Sequence, residues 1–143
     1  MATVPEPLEL IPFARMTVHL RRPHHLAGTP VGDRLIFEVE DGVLEGERVR
    51  GIVKGSSGAD WFTLGPDGTG RLDVRALLET DDGALVFVQY TGRTDLSAGQ
   101  GPVYATPVFE TGDERYRWLN RIQVVGKGAL DGGTLTYDLY ELR

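Results

Sequence analysis

The sequence predicts an all-β protein, an antiparallel meander of eight or nine strands. Gly and Asp-Gly pairs recur beside runs of alternating apolar and polar residues, which is the pattern of strands joined by tight turns. No long segment repeats apolar residues at positions i, i+3, i+4 and i+7, as an amphipathic helix does. The length of 143 residues is that of one domain, so we expect residues 1–143 to form a single β domain.

The turn signals delimit the strands in order along the chain. The pairs expected to turn are Asp41-Gly42, Glu45-Gly46, Asp67-Gly68, Asp82-Gly83 and Asp131-Gly132. The strands predicted around them are Leu8–Leu20, Arg34–Glu40, Val43–Lys54, Trp61–Leu64, Thr69–Thr80, Ala84–Thr91, Val103–Thr111, Asn120–Val125 and Leu135–Glu141. One helical turn is predicted around Asp113–Trp118, with Thr111 or Asp113 as its N-cap.

A meander of this length can protect its edge strands in two ways. It can pack as a sandwich or close into an up-and-down barrel. A closed barrel of about eight strands has an interior that is filled by side chains or holds one small ligand. The two longest predicted loops, His24–Gly32 and Thr94–Gly101, are candidates to cover a barrel mouth.

Composition excludes several classes of function. The chain has 15 basic and 21 acidic residues, a formal charge of −6, which opposes binding to nucleic acid or to anionic lipid. It has no cysteine and therefore neither disulfides nor thiolate metal sites. The N-terminus lacks a signal-peptide pattern, and no apolar run approaches the ~18 residues of a membrane span. We expect a soluble, cytoplasmic protein.

One predicted strand carries ionisable residues on a single face. Alternation places Arg71, Asp73, Arg75 and Leu77 on one side of the strand, and the other side is apolar, formed by Leu72, Val74, Ala76 and Leu78. The charged face is either a solvated exterior or the polar lining of a cavity. In the second case the apolar face points outward and needs cover, which predicts self-association, most simply a homodimer.

Several co-linear motifs make the chain similar to a known family. They are Gly58-Ala59-Asp60-Trp61, Asp73-x-Arg75, Thr80-Asp81-Asp82-Gly83-Ala84, and the stretch from Pro107 through Glu110-Thr111-Gly112 to Tyr116-x-Trp118-Leu119-Asn120. The chain resembles the domain-of-unknown-function family 3237, over nearly its whole length. This resemblance implies a water-soluble, eight-stranded, antiparallel up-and-down β-barrel similar in topology to small outer-membrane barrels, and it implies no particular activity.

Paired acidic, basic and aromatic residues are the candidates for chemistry. Asp60 stands beside Trp61, and an apolar wall raises the pKa of a carboxyl group into the range of a general acid or base. Asp73 is the second candidate carboxylate, with Arg75 two residues along the same face. Tyr90 and Arg93 end the next strand, where a phenol and a guanidinium are suited to polarising a carbonyl or holding a carboxylate.

Further candidates lie in the predicted helical turn. Tyr116, Trp118 and Asn120 combine stacking surface with hydrogen-bond donors, so they either contact a ligand or plug the end of the barrel. His24 and His25 point opposite ways in an extended chain and do not define a ligand set. We therefore expect neither a metal nor a cofactor.

These candidates together predict a cofactor-independent enzyme. Its substrate would be a small, partly apolar aromatic or polyketide-like carbonyl compound held inside the barrel. Asp60, Asp73 and Arg75 are the catalytic candidates, and isomerisation, cyclisation, elimination and hydrolysis are the reactions such groups serve. The alternatives are a non-catalytic carrier or sensor with the same cavity and an interaction module with a filled barrel.

Overall fold

In the part of the chain that the structure describes, eleven β-strands form the wall of a closed, antiparallel barrel with eight strand positions. The computed structural model describes residues 3–143. The strands are β1 Leu10–Leu20, β2 His24–Thr29, β3 Gly32–Gly46, β4 Arg50–Val53, β5 Ala59–Leu64, β6 Thr69–Thr80, β7 Leu85–Asp95, β8 Val103–Ala105, β9 Val108–Glu110, β10 Val124–Asp131 and β11 Thr134–Leu142. The expectation of an eight-stranded up-and-down barrel is confirmed, and the sandwich is excluded.

Three positions in the wall are each shared by two consecutive strands. β1 and β2 lie along β3, β4 and β5 lie between β3 and β6, and β8 and β9 lie along β7. The break between β8 and β9 falls at Thr106-Pro107. Proline has no N–H to donate, so it breaks the ladder there.

Three of the predicted Asp-Gly turns form as expected, since Gly68, Gly83 and Gly132 all have positive φ. Asp41-Gly42 is different, because β3 passes through it without turning. A Cβ built at Gly42 would lie 2.8 Å from Cγ2 of Val53. This glycine therefore makes room for a side chain of the neighbouring strand, and the chain reverses after Gly46 instead.

The core consists of the inward faces of the strands. Phe62, Leu72, Val74, Tyr137 and Leu139 are among its buried members. A 3₁₀ helix, Glu114–Arg121, follows β9 and packs Leu119 into one end of the barrel. It extends beyond the single turn predicted, so the next strand begins at Val124 rather than at Asn120. In the described part of the chain, no helix has the length and apolar character needed to cross a membrane.

Candidate active site

The charged face of β6 lies on the outside of the barrel. Asp73 and Arg75 are about half exposed, and their nearest oxygen and nitrogen are 3.9 Å apart. The opposite face, Leu72, Val74, Ala76 and Leu78, belongs to the core. Of the two alternatives left open for this face, the solvated exterior is the one observed, and the apolar face that the other alternative would have left uncovered is packed in the core.

Asp60 points into the barrel beside Phe62 and is only 7% exposed. The local β5–β6 ladder explains how a carboxylate is held there. It pairs Asp60 with Val74 and resumes at Thr63 with Arg71. Between these pairs, the amide of Asp73 donates to Oδ1 of Asp60 at 3.0 Å. The buried carboxyl group thus replaces a backbone acceptor in the barrel wall.

The interior position changes the acidity of Asp60. Burial raises its pKa to about 7, although the amide of Asp73 opposes this shift and the negative charge of Asp73 adds to it. The raised pKa agrees with the predicted role of Asp60 as an acid or base. The predicted cause is wrong, because Trp61 projects outward, 37% exposed, with the Arg75 guanidinium 5.4 Å from its ring centroid.

Two tyrosines share the interior with Asp60. Tyr90 on β7 and Tyr137 on β11 are 6% and 0% exposed, and their rings meet edge to face with centroids 5.8 Å apart. Burial raises the pKa of both phenols, and the charge of Asp60 raises each further. We refer to Asp60, Tyr90 and Tyr137 as the interior cluster.

The Tyr137 hydroxyl is a buried group without a hydrogen-bond partner in the structure described. An unpaired buried hydroxyl is unfavourable, and the neighbouring Tyr90 phenol is the polar group that interacts with it. Tyr137 was missed in the sequence because it alternates with Leu135 and Leu139 as an ordinary core residue does. The signal was a polar atom on a strand face that is otherwise apolar.

A shallow groove on the barrel wall leads to Tyr90. It has a volume of about 280 Å³ and lies over the interruption between β8 and β9. We call it the Tyr90 groove; it is lined by Asp73, Arg75, Gln89, Tyr90, Thr91, Thr106 and Val108. Tyr90 therefore belongs both to the interior cluster and to a solvent-facing depression that Asp73 and Arg75 border.

The remaining predicted site residues lie away from the interior cluster. Arg93 points outward while Tyr90 points inward, so the structure does not bring this pair together. Trp118 packs edge to face on Phe13 at the end of the barrel, under the Arg48 guanidinium at 4.2 Å. The position of Trp118 favours the interpretation that the 3₁₀ helix closes the end of the barrel as a plug. Arg93 lies on the surface.

Tyr116 and Asn120 tie the 3₁₀ helix to neighbouring turns. The Tyr116 hydroxyl donates to the Asp82 carboxylate at 2.9 Å. Asn120 donates from Nδ2 to the Thr111 carbonyl at 2.9 Å and accepts from the Thr111 amide at 2.8 Å. Both residues hold the plug in place. Over residues 3–143, no three histidine or acidic side chains come together as metal ligands.

A buried carboxylate that the sequence analysis missed lies beneath this plug. Glu141 is 4% exposed and accepts from Nε of Arg143 at 2.6 Å, with Nη2 of Arg48 at 3.5 Å. Two guanidinium groups therefore neutralise it, and Arg48 also lies over Trp118. These ion pairs stabilise the end of the barrel. They lie further along β11 than Tyr137 and are separate from the interior cluster.

Comparisons with solved structures agree with the barrel. A β-barrel-like protein from Acinetobacter baumannii superposes with a TM-score of 0.86 at 32% identity, covering 99% of this chain and 100% of that one. An enzyme from Penicillium herquei superposes with a TM-score of 0.80 at 23% identity, covering the whole of both chains. The second similarity concerns the fold alone.

Sequence comparisons define the family. A UPF0311 protein of Rhodopseudomonas palustris is 30% identical over 126 residues, 78% of this chain and 81% of the relative. The hydroalkoxylation enzyme phnH of Penicillium herquei is 33% identical over 85 residues, 59% of this chain and 50% of the relative. The family model of the protein of unknown function DUF3237 matches residues 8–142. The chain therefore belongs to the DUF3237 family, as its motifs had indicated.

Proposed function

We propose that this protein is a cofactor-independent enzyme that cyclises a small, partly apolar carbonyl compound by adding a hydroxyl group across a conjugated C=C bond. The observation that carries the proposal is the interior cluster, in which a buried carboxyl group with a pKa of about 7 shares the inside of the barrel with two phenols. Among the reactions considered above, cyclisation is favoured because a relative is named a hydroalkoxylation enzyme.

Asp60 is suited to both proton transfers of such a reaction. With a pKa of about 7, both its ionised and protonated forms are well populated at neutral pH. The Asp60 carboxylate takes the proton of the substrate hydroxyl group. At the same time, the oxygen of that hydroxyl group forms the new C–O bond. The electron pair of the C=C bond moves toward the carbonyl oxygen, and Asp60 returns the proton to the α-carbon, so no proton is gained or lost.

The tyrosines are suited to holding the negative charge that develops on the carbonyl oxygen. Both pKa values are raised, so the hydroxyl groups stay protonated and act as donors. The Tyr137 hydroxyl makes no hydrogen bond of good geometry among the residues described, and the neighbouring Tyr90 phenol is the group that a carbonyl oxygen would have to displace from it. The substrate would approach along the Tyr90 groove, where Asp73 and Arg75 orient it rather than transfer its proton.

The first experiment is a screen of small aromatic ketones that carry a hydroxyl group and a conjugated C=C bond. Binding is detected by thermal shift, and cyclisation by loss of the enone absorbance with no change in mass. Asp60→Asn should lower turnover by about 100- to 10,000-fold, because the amide keeps the acceptor for Asp73 but transfers no proton. Tyr137→Phe should lower it less.

The matched control is Asp138→Asn, since Asp138 is an exposed strand carboxylate paired with Arg15. It should retain the wild-type rate. A converted compound whose turnover survives Asp60→Asn would contradict the assignment of the interior cluster. Compounds that bind tightly and are never transformed would favour the alternative, a non-catalytic carrier or sensor.

A further inference from the structure

Three cations and a tyrosine form a row across four adjacent strands on the outer wall. Arg71 on β6 stands directly opposite Arg93 on β7, Arg93 opposite Tyr104 on β8, and Tyr104 opposite Lys127 on β10. We call these four residues the cationic row. Like charges directly opposite each other across a ladder are unfavourable, so the Arg71–Arg93 pair needs an explanation.

No carboxylate of residues 3–143 neutralises this row by an ion pair within 4.0 Å. The acidic residues nearest in sequence or register are engaged elsewhere. Asp73 pairs with Arg75, Asp138 with Arg15, and Asp95 accepts from Ser97. Two carboxylates are near the row without an ion pair to it: Asp138 stands directly opposite Lys127 on β11, and the charge of Asp67 interacts with Arg71. In a chain with a net charge of −6, a row of three cations is still a local concentration of positive charge. The row is thus electrostatically complementary to an anion.

The cationic row crosses a second groove, distinct from the interior cluster. This groove has a volume of about 870 Å³, within the usual range for a small-molecule site. Besides the row, it is bordered by the apolar surfaces of Leu10, Val125 and Tyr140. Leu10 is 57% exposed and Tyr104 is 53% exposed, so flat apolar surface lies open beside the charges.

Tyr104 supplies the aromatic surface of this groove. The Lys127 ammonium lies 6.0 Å from the centroid of the Tyr104 ring, which leaves the other face of that ring free for stacking.

We propose that this groove binds a small organic anion with a flat aromatic body, with its carboxylate between Arg71 and Arg93 and its ring against Tyr104. Arginine suits this role because its planar fork binds carboxylates through two parallel hydrogen bonds. Anion binding also accounts for the unfavourable Arg71–Arg93 juxtaposition. The groove shares Thr91 and Thr106 with the Tyr90 groove, so the two sites are neighbours.

The test is calorimetric titration of the whole protein with naphthalene-2-carboxylate and with the neutral naphthalene-2-carboxamide. The carboxylate should bind at least about tenfold more tightly than the amide. The double variant Arg71→Gln/Arg93→Gln should lose at least about tenfold in affinity for the carboxylate and little for the amide. Its thermal stability should be unchanged or raised, because a like-charge pair has been removed.

The matched control is Arg22→Gln/Arg121→Gln, which changes the net charge equally at exposed positions outside the groove. It should bind the carboxylate as the wild type does. Equal affinity for carboxylate and amide, or an equal loss in both double variants, would overturn the proposal. A sedimentation result would also overturn the proposal if the wild type is a dimer and only the Arg71→Gln/Arg93→Gln variant is a monomer. A second copy of the chain would then occupy the groove.

Discussion

Replacing Asp60 with Asn should change how the stability of the protein depends on pH. Folding raises the pKa of this carboxyl group from 3.8 to about 7, so the folded state binds more protons than the unfolded state between these values. Stability from this group is therefore fully present below about pH 4 and is lost as the pH rises to about 7. This shift in pKa corresponds to a decrease of about 4 kcal/mol in the free energy of unfolding. About 3 kcal/mol of that decrease occurs between pH 5 and pH 8.5.

Asn has nearly the same shape as Asp and still accepts from the amide of Asp73, but it has no charge to bury. Urea unfolding of the wild type and of Asp60→Asn near pH 5 and pH 8.5 isolates the contribution, because the other titrating groups cancel in the difference. The variant should gain about 3 kcal/mol relative to the wild type at the higher pH. A difference that does not change with pH would refute the burial and the raised pKa of Asp60, on which the proposed chemistry depends.

Two further predictions concern packing. Gly128→Ala should destabilise the barrel by about 1–3 kcal/mol in urea unfolding, because its Cβ would lie 2.7 Å from Cδ1 of Tyr137, whereas Gly112→Ala, in open space, should have little effect. Glu141→Ala should cost about 1–3 kcal/mol, since it leaves Arg48 and Arg143 without their buried partner, whereas loss of the exposed Asp138 should cost under about 1 kcal/mol. Equal effects within either pair would contradict the packing described here.

Most of the local structure could be predicted from the sequence. The turns at Asp67-Gly68, Asp82-Gly83 and Asp131-Gly132 form because glycine enters the left-handed region that they require. Alternation along β6 correctly separated the Arg71 face from the Leu72 face. Asp60 was identified as the leading carboxylate, and the structure gives it the raised pKa that the proposed role requires.

The tertiary structure alone decided which face of each strand is inside. A two-residue period divides a strand into two faces but does not orient them, and closure of the barrel turned Asp73 and Arg75 outward. It also brought Tyr137 beside Tyr90 and near Asp60, although these residues lie on strands far apart in the chain. The sequence by itself thus determined most of the strands, three of the Asp-Gly turns and the candidate carboxylate. The raised pKa of Asp60 and the nearness of the two phenols depend on closure of the barrel. Both arise only when strands that are distant in the chain come together.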